Sequence, residues 1–382
     1  MPFGPQPRIA VAGVLETTPD GQGWLRDIAT SFVPEDTDPY VPAALTRADN
    51  LRPGTEIVGW AERIKGKVTV VEIETVNGVP PSEAAGLPLF KQLTSVDPDE
   101  VFHLEGGEEY DGDNGACYNM RVLDLITPIG KGQRGLITAP PRSGKTILLQ
   151  QVANRISIAY PEVHLMVLLV DERPEEATHF RRNVKGEVIA STNDEPADRH
   201  TRVTELTIER AKRLVEQGRD VVIVMDSLTR LGRAYNVTIR NSGRTLSGGV
   251  DSRTLEKPKA FFGAARNVED GGSLTILATA LIETGSRMDE VIFEEFKGTG
   301  NMELVLSREL AERRIWPAID INKSGTRKEE LLLSPEVYRK VVLLRRVLSQ
   351  MHPVEGMQLL MAKIRDTRGN DQFLASFDAR RG

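Results

Sequence analysis

Hydrophobic and polar residues alternate in short segments along the first part of the chain. The alternating segments are residues 8–15, 23–27, 56–60 and 67–76. Turn-forming sequences separate them, such as Pro19-Asp20-Gly21 and Arg52-Pro53-Gly54. Alternation with a period of two residues is typical of strands that bury one face. We therefore predict that residues 1–104 form a small antiparallel β-barrel.

A different pattern begins near Asn119, where continuous apolar runs alternate with helical stretches. The runs are residues 135–138, 165–170, 221–225 and 274–279. Such runs are typical of parallel strands that helices cover on both faces. Residues 119–382 are therefore predicted to form an α/β domain. Residues 105–118 are acidic and rich in glycine, so they are predicted to form a linker.

Composition limits the class of protein without identifying it. The 382 residues are 40% hydrophobic and 27% charged, as expected for a globular protein of two or three domains. The single cysteine, Cys117, excludes a disulfide scaffold and fits a reducing compartment. The N-terminus lacks the apolar run of a signal peptide, and the longest apolar run is too short to cross a bilayer. We expect a cytoplasmic protein without membrane contact.

Charge is distributed unevenly between the two predicted domains. Residues 1–113 contain 8 Lys and Arg against 20 Asp and Glu, a balance of −12. The remainder contains 41 against 35, a balance of +6. The overall net charge of −6 argues against non-specific coating of DNA. It leaves room for a nucleic-acid path built from a few well-placed cations.

Residues 135–148 contain an apolar strand, a tight loop and the start of a helix. The loop ends in Gly144-Lys145-Thr146, as a phosphate-binding loop does, although Ala139 replaces the first glycine of the general pattern. We predict that backbone N–H groups hold the β-phosphate of a nucleotide and that Lys145 reaches the β and γ oxygens. The Thr146 hydroxyl is predicted to bind Mg²⁺. The second domain is thus predicted to be a P-loop domain that hydrolyses a nucleotide.

Two further strand ends supply the carboxylates that nucleotide hydrolysis needs. Asp226 is predicted to hold the Mg²⁺ shell, and Glu172 to activate the attacking water. Ordinary solvation of a strand end, or helix capping, is the alternative for each. Arg327, on a glycine-containing loop, is a candidate arginine finger from a neighbouring subunit, with a helix-entry charge as the alternative. Trp316 lies in a strand-like segment before a proline, where it either stacks on the nucleobase or joins the core.

Further segments carry a specific resemblance to a known family. They include Val170-Asp-Glu-Arg-Pro-Glu-Glu176, Arg230-Leu-Gly-Arg-Ala-Tyr235 and Phe261-Phe-Gly-Ala-Ala-Arg-Asn267. Residues 132–135, 185–191, 194–197, 248–251 and 289–301 extend the series. In these segments the chain resembles the Rho family of bacterial transcription termination factors, closely over residues 119–382 and more loosely over 8–100. Related hexameric ATPases share the phosphate loop but not this series.

The resemblance implies a RecA-like P-loop ATPase fold for residues 119–382. It also implies a homohexameric ring that hydrolyses ATP with Mg²⁺ to move along single-stranded nascent RNA, with RNA polymerase as a further partner. It gives Lys145, Thr146, Glu172, Asp226 and Arg327 the roles stated above. The wider ATP-binding set that it implies is Gly130, Lys131, Gly132, Gln133, Arg134, Gly135, Arg142, Ser143, Gly144, Lys145, Thr146, Ile147, Arg173, Arg308 and Trp316. A phenylalanine is usual at the position of Trp316, and a lysine at the position of Arg142.

The resemblance also implies a central RNA path made of two loops. The first, residues 242–249, contains Arg244, Gly248 and Gly249, and the second, residues 285–288, contains Arg287. Arg244 and Arg287 are expected to engage RNA, with support from Lys297. Both are lysines in the familiar form, and arginine keeps the charge but presents a planar fork. Without the resemblance, a surface loop is the more ordinary interpretation of each segment.

The barrel resembles the OB or cold-shock type and is expected to carry part of an RNA-binding surface. Trp24, Arg26 and Tyr40 match the aromatic strand of cold-shock-type barrels, on which bases stack. Gln22 stands where the resemblance leads us to expect phenylalanine, and Lys67 where it leads us to expect tyrosine. Each stacked base is worth about 1–3 kcal/mol, so we expect weaker RNA loading and a relaxed base preference.

Together these patterns predict an ATP-dependent RNA translocase or helicase that terminates transcription. Two other classes stay open. Another hexameric RecA- or F1-like ring ATPase would lack RNA-stimulated turnover. An RNA-binding assembly protein would have weak turnover, and the intact Lys145, Glu172 and Asp226 argue against it.

Overall fold

The computed structural model describes residues 7–106, 114–239, 247–251 and 253–377. Its strands are β1 (Ile9–Thr17), β2 (Gly23–Arg26), β3 (Tyr40–Val41), β4 (Glu56–Ile64), β5 (Lys67–Val76), β6 (Ser95–Val96), β7 (Val101–Phe102), β8 (Ile129–Gly130), β9 (Arg134–Ala139), β10 (His164–Glu172), β11 (Glu187–Thr192), β12 (Asp220–Asp226), β13 (Arg266–Val268), β14 (Ser273–Leu281), β15 (Met302–Val305) and β16 (Gly325–Thr326). Its helices are α1 (Ala43–Ala48), α2 (Pro81–Ala84), α3 (Asn114–Ile126), α4 (Lys145–Ala159), α5 (Pro174–Asn183), α6 (Ala197–Glu216), α7 (Leu228–Thr238), α8 (Glu256–Gly263), α9 (Arg287–Lys297), α10 (Arg308–Glu312), α11 (Pro335–Leu348), α12 (Pro353–Arg365) and α13 (Asn370–Ala375).

Strands β1 to β5 form the closed barrel that the alternating segments predicted. The order around the barrel is β1-β2-β3-β5-β4, and Leu15, Leu25 and Ile57 belong to its core. One pairing differs from the predicted antiparallel barrel, because β3 runs parallel to β5 where Tyr40 faces Thr69. Directions cannot alternate around an odd number of strands, so a closed five-stranded barrel needs at least one parallel pair.

The large domain is built on the predicted parallel sheet. Its central strands follow the order β11-β10-β12-β14-β9-β15, and each neighbouring pair is parallel. Successive residues of β10 belong to two core clusters: Leu169 packs in one, and Leu168 and Val170 pack in the other. Core on both faces explains the continuous apolar runs. The short antiparallel strands β6, β13 and β16 extend this sheet.

Charged contacts fix the barrel against the large domain. Glu16 of the barrel accepts hydrogen bonds from Arg202 of α6, and Arg52 donates to both carboxylate oxygens of Glu216 at 2.8 and 2.6 Å. After the barrel, β6 pairs with β13 and β7 pairs with β8. The chain is therefore attached to the large domain before residue 104, and the boundaries 1–104, 105–118 and 119–382 stay predictions.

The described helices also bear on the membrane prediction. None of them combines the length and the apolar character that a membrane span requires.

Candidate nucleotide and nucleic-acid sites

The phosphate loop lies between β9 and α4, at the carboxyl edge of the parallel sheet. Gly144 has φ +82°, and a Cβ atom there would lie 2.5 Å from the Trp316 ring. Helix α4 begins at Lys145, so its unpaired N–H groups open toward the loop. A cavity of about 660 Å³ borders the loop, and its lining includes Ser143, Lys145, Thr146, Ile147, Glu172, Arg173 and Arg230. A helix N-terminus beside such a cavity is suited to bind an anion.

The three residues predicted to carry hydrolysis lie together. Lys145 Nζ donates to Asp226 Oδ1 at 2.5 Å and lies 3.7 Å from Glu172 Oε2. Glu172 and Asp226 end the neighbouring strands β10 and β12, and both are buried. Burial and the Asp226 carboxylate raise the pKa of Glu172, although Lys145 and Arg230 oppose them. A buried carboxylate with a raised pKa is suited to accept a proton from water.

The carboxylates at this edge fit a divalent cation. Oxygen atoms of Glu172, Glu176 and Asp226 all lie within 4.8 Å of one another. Among the described residues, nothing donates a hydrogen bond to the buried Oδ2 of Asp226. The Thr146 hydroxyl donates to Glu176 at 3.1 Å, which brings the predicted metal-binding hydroxyl beside this group. Carboxylate and hydroxyl oxygens are the hard ligands that Mg²⁺ prefers.

Trp316 lies on the other side of the phosphate loop. A cavity of about 620 Å³ is lined by Trp316 together with Arg142 and Arg308, and Arg308 pairs with Glu283 at 3.1 Å. A smaller apolar cavity, of about 170 Å³, lies between Trp316, Ile147 and neighbouring residues. Trp316 is 39% exposed and lies in a bend rather than a strand, so its ring is open to a ligand. These positions suit the base of a nucleotide whose phosphates occupy the loop.

Arg327 lies at the opposite edge of the sheet from the phosphate loop. Its backbone N–H donates to the Asn301 carbonyl, while the Arg134 N–H donates to the Asn301 side chain, both at 2.9 Å. Arg134 begins β9 and the phosphate loop follows its end, so roughly 15 Å of strand separates them. The exposed Arg327 therefore lies far from the phosphate loop of its own chain.

Residues 130–134 share this distant edge. Lys131 pairs with Glu100 at 2.6 Å and with Asp220 at 2.9 Å, and Gln133 donates to Asn301 at 2.6 Å. The structure thus divides the implied ATP-binding set into two groups. Residues 142–147 and Arg173 border the phosphate loop, whereas the segment containing Gly130, Lys131, Gly132, Gln133, Arg134 and Gly135 lies beside Arg327.

Two residues near the phosphate loop, Arg230 and Glu176, were not predicted from the sequence as site residues. Arg230 lies 3.4 Å from Glu172 and 3.2 Å from Asp171, and Glu176 accepts from Thr146. Both lie within segments that carried the resemblance. For Glu176 the available signal was an acidic residue soon after Pro174, where the first turn of α5 begins.

The structure describes all of the second central loop, residues 285–288, and only residues 247–249 of the first. Arg244 lies outside the described residues. Gly248 has φ +76°, and a Cβ atom there would lie 2.8 Å from the Arg287 carbonyl oxygen, so the end of the first loop packs on the second. Arg287 is exposed and is the first residue of α9 rather than a loop residue. Lys297, at the other end of α9, lies 5.6 Å from the Phe293 ring.

On the barrel, the predicted aromatic residues share one surface. The Trp24 and Tyr40 rings meet edge to face, with centroids 5.9 Å apart. The Arg26 guanidinium lies 5.6 Å from the Trp24 ring. It is also paired with Glu16 at 2.7 Å and with Asp38. Arg26 is only 8% exposed, so its charge is balanced by carboxylates before any ligand binds.

Polar contacts surround Gln22 at the edge of this surface. Its Oε1 accepts from the Tyr40 hydroxyl at 3.1 Å, and its Nε2 donates to Asp20 at 2.6 Å. Lys67 is the exposed first residue of β5. Neither side chain offers an aromatic face, so Trp24 and Tyr40 are the aromatic residues at the four barrel positions 22, 24, 40 and 67.

The fold and the site together define a P-loop nucleotide-binding ATPase domain joined to an OB-type barrel. Residues 119–326 match the nucleotide-binding domain of the ATP synthase alpha/beta family. Residues 11–82 match the RNA-binding domain of the Rho termination factor. The predicted fold class is confirmed by these matches and by the closed barrel.

Relatives identify the family. The chain is 52% identical over 369 residues to transcription termination factor Rho of Pseudomonas aeruginosa, covering 95% of this chain and 87% of the relative. It is 54% identical over 378 residues to transcription termination factor Rho of Micrococcus luteus, covering 95% of this chain and 53% of the relative. The chain belongs to the transcription termination factor Rho family.

Solved structures agree on the fold. An ATPase from the type III secretion system of pathogenic bacteria superposes with a TM-score of 0.60 at 21% identity, covering 74% of this chain and 86% of that one. An ATP synthase subunit from Nanoarcheaum equitans gives 0.57 at 17% identity, covering 67% and 63%. At these identities the likeness concerns the fold alone.

Proposed function

We propose that this protein is an ATP-dependent RNA translocase that terminates transcription. The observation that carries the proposal is the Lys145–Glu172–Asp226 constellation in a chain of the Rho family that also has an RNA-binding barrel. Single-stranded nascent RNA is the proposed polymer substrate and ATP the proposed fuel. Helicase action on RNA–DNA duplexes and contact with RNA polymerase belong to the same proposal, as does a cytoplasmic location.

In the proposed hydrolysis, Lys145 neutralises the β and γ oxygens of ATP and Glu172 accepts the proton of the attacking water. The raised pKa of Glu172 supports the second role, because a stronger base accepts the proton more readily. Thr146, Asp226 and Glu176 are proposed to hold Mg²⁺ directly or through water. When bound, Mg²⁺ supplies charge neutralisation of the phosphates.

The remaining predicted residues are assigned to a subunit interface and to the base. Arg327, together with residues 130–134, is proposed to face the nucleotide of the next subunit, which requires an oligomeric ring. A homohexamer is the ring that we propose. Trp316 is proposed to stack on adenine, with Arg142 and Arg308 beside the phosphates and Arg173 at the cavity wall.

RNA is proposed to contact two places in succession. The Trp24 and Tyr40 rings capture bases on the barrel, with Arg26 bracing the Trp24 ring. Arg244 and Arg287, with Gly248, Gly249 and Lys297, then form the central path. The −12 charge balance of residues 1–113 supports capture through stacking rather than through phosphate neutralisation.

One experiment separates this function from its two rivals. ATP hydrolysis is measured with and without poly-pyrimidine RNA, and Lys145→Ala serves as the inactive control. RNA-stimulated hydrolysis is the expected result. An equal rate of hydrolysis with and without RNA would favour another RecA- or F1-like ring ATPase. Weak hydrolysis with tight RNA binding would favour an assembly protein. Strand displacement on an RNA–DNA duplex tests the helicase part.

A further inference from the structure

A row of side chains crosses the outer face of the barrel from β1 to β3. Glu16 of β1 lies directly opposite Trp24 of β2, and Trp24 lies directly opposite Tyr40 of β3. Residues that face each other in antiparallel strands place their side chains on the same side of the sheet. The chain neighbours Leu15 and Leu25 belong to the barrel core, so this row points outward. A carboxylate therefore stands beside the two stacking rings.

Helix α6 of the large domain reaches the Glu16 end of this row. Arg202 Nη2 donates to Glu16 Oε2 at 2.5 Å, and Arg202 Nε donates to Glu16 Oε1. Two such bonds in parallel fix the guanidinium against the carboxylate. The Arg202 side chain is 26% exposed and that of Glu16 is 22% exposed. The pair thus lies at the surface, next to the rings on which bases are proposed to stack.

Apolar packing holds α6 against the barrel independently of this ion pair. Val14 and Phe32 are fully buried in the same core cluster as Val203 of α6. The Ser31 hydroxyl accepts a hydrogen bond from the backbone N–H of Ala190 at 3.0 Å. Burial of such side chains stabilises a contact more than a partly exposed ion pair does. Arg202 can therefore be changed without releasing the barrel from the large domain.

The charges beside Trp24 balance only when Arg202 is included. Arg26 pairs with Glu16 at 2.7 Å and also with Asp38, so one guanidinium faces two carboxylates. Burial alone would raise the pKa of Glu16, but Arg202 and Arg26 hold that pKa below its usual value, so Glu16 is ionised at neutral pH. Without Arg202, an unbalanced negative charge would lie beside the stacking surface and repel the phosphates of RNA.

We propose that Arg202 completes the RNA-capture surface of the barrel by neutralising Glu16 beside the stacking rings. The inference rests on the proposed role of Trp24 and Tyr40 in RNA capture. The capture surface is then built from both domains, with its aromatic rings on the barrel and a charge from α6. One uncompensated charge within about 10 Å of a bound phosphate should weaken binding roughly three- to tenfold at low salt, and less as salt rises.

The test measures the affinity of the full chain for a pyrimidine RNA of about ten nucleotides, by fluorescence anisotropy without ATP. Arg202→Gln should bind roughly three- to tenfold more weakly at low salt, whereas Arg202→Lys keeps the charge and should stay within about twofold of the wild type. Arg52→Gln is the matched control, because it removes another ion pair between the barrel and α6. Its side chain is similarly exposed, at 29%, and its partner Glu216 lies roughly 20 Å along α6 from Arg202. Arg52→Gln should leave RNA affinity unchanged.

The double variant Glu16→Gln with Arg202→Gln tests the mechanism. It should bind RNA at least as tightly as the wild type, because no carboxylate is left at position 16 to be neutralised. The inference is overturned if this double variant is as weak as Arg202→Gln, since Arg202 would then act without Glu16. It is also overturned if Arg202→Gln binds like Arg52→Gln, or if Arg202→Lys is as weak as Arg202→Gln.

Trp24→Ala separates this inference from the proposed function. Weaker binding in Trp24→Ala with none in Arg202→Gln would contradict the inference alone. Unchanged binding in both variants would contradict the proposed capture of RNA by the barrel, and the role of Arg202 with it.

Discussion

Arg233 forms a bidentate ion pair with the carboxylate of Asp289. Nε donates to Oδ1 at 2.8 Å and Nη2 donates to Oδ2 at 2.6 Å. Asp289 is 1% exposed and lies in the first turn of α9, two residues after Arg287. Arg233 also lies one turn after Arg230 on α7, and Arg230 contacts Glu172. Helix α7 therefore contacts both Glu172, at the candidate nucleotide site, and the start of α9, at the second central loop.

Arg233→Lys should uncouple RNA from hydrolysis. Lysine keeps the charge beside the buried Asp289 but loses the fork that fixes its orientation. We expect ATP hydrolysis without RNA to stay near the wild-type rate and its stimulation by RNA to fall several-fold. Arg339→Lys, an exposed change on α11, is the control. Full stimulation in Arg233→Lys would show that α7 does not transmit the signal.

Glu172→Gln and Lys145→Ala should fail at different steps. Glutamine removes the proton acceptor and leaves the phosphate loop intact, so ATP should still bind while turnover is lost. Lys145→Ala removes the predicted phosphate contact and also the cation that pairs with the buried Asp226. It should therefore weaken both ATP binding and turnover. Equilibrium binding of a fluorescent ATP analogue, measured beside turnover, separates the two. Near-normal turnover in Glu172→Gln would remove Glu172 from the mechanism.

The sequence predicted the site residues that lie at the end of a strand or in the segment that follows it. Lys145, Glu172 and Asp226 each follow an apolar run, and parallel strands bring such ends to one edge. The apolar runs became β10, β12 and β14 with bounds extended by one or two residues. The predicted parallel direction of the strands therefore sufficed to bring the three residues together.

Contacts between side chains of distant segments could not be predicted in this way. A bulge in β10 at Asp171, where the pairing with β11 shifts, leaves no mark in the hydrophobic pattern, because Asp171 and Glu172 are both polar strand-end residues. Arg230 reaches Glu172 only because α7 packs beside β10, which no local spacing encodes. The parallel closure of the barrel at the two-residue strand β3 was equally invisible.

Arg327 is expected to complete a neighbour's site. Mixing inactive Arg327→Ala chains with inactive Lys145→Ala chains should restore some hydrolysis, because some interfaces then hold both intact groups. A finger supplied in trans is worth on the order of 10³–10⁵ in rate, so even a minority of such interfaces is measurable. Activity is assayed after native mass spectrometry has verified mixed rings. If verified mixed rings stay inactive, Arg327 does not act across the interface.

Asp124 should make stability depend on pH. Its carboxylate accepts hydrogen bonds from the backbone N–H groups of Leu104 and Glu105, at 3.0 and 2.8 Å. Burial nevertheless raises the pKa of Asp124 to about 7, above the ordinary value of about 3.9. The folded state therefore holds this proton more tightly than the unfolded state does. The stability that it contributes is complete below about pH 4 and is lost as pH rises to about 7.

Asp124→Asn should reduce this dependence, because asparagine keeps an oxygen acceptor and cannot ionise. The difference in melting temperature between about pH 5 and about pH 8 is expected to be smaller in Asp124→Asn than in the wild type. Glu83→Gln, which removes an exposed carboxylate on α2, is the control and should keep the wild-type difference. An unchanged difference in Asp124→Asn would mean that Asp124 is ionised throughout this range.

The barrel and the central loops should fail differently when RNA contacts are removed. Trp24→Ala deletes a stacking face, so RNA affinity should fall by roughly 1–3 kcal/mol while RNA-stimulated hydrolysis persists at saturating RNA. Arg287→Ala leaves the barrel untouched, so capture should stay near normal while stimulation is lost. Gln22→Phe, which adds the missing aromatic face, should strengthen RNA binding. Affinities are compared at one fixed salt concentration, because phosphate contacts depend on salt. If Trp24→Ala leaves affinity unchanged, the barrel has no loading role and the central loops capture RNA themselves.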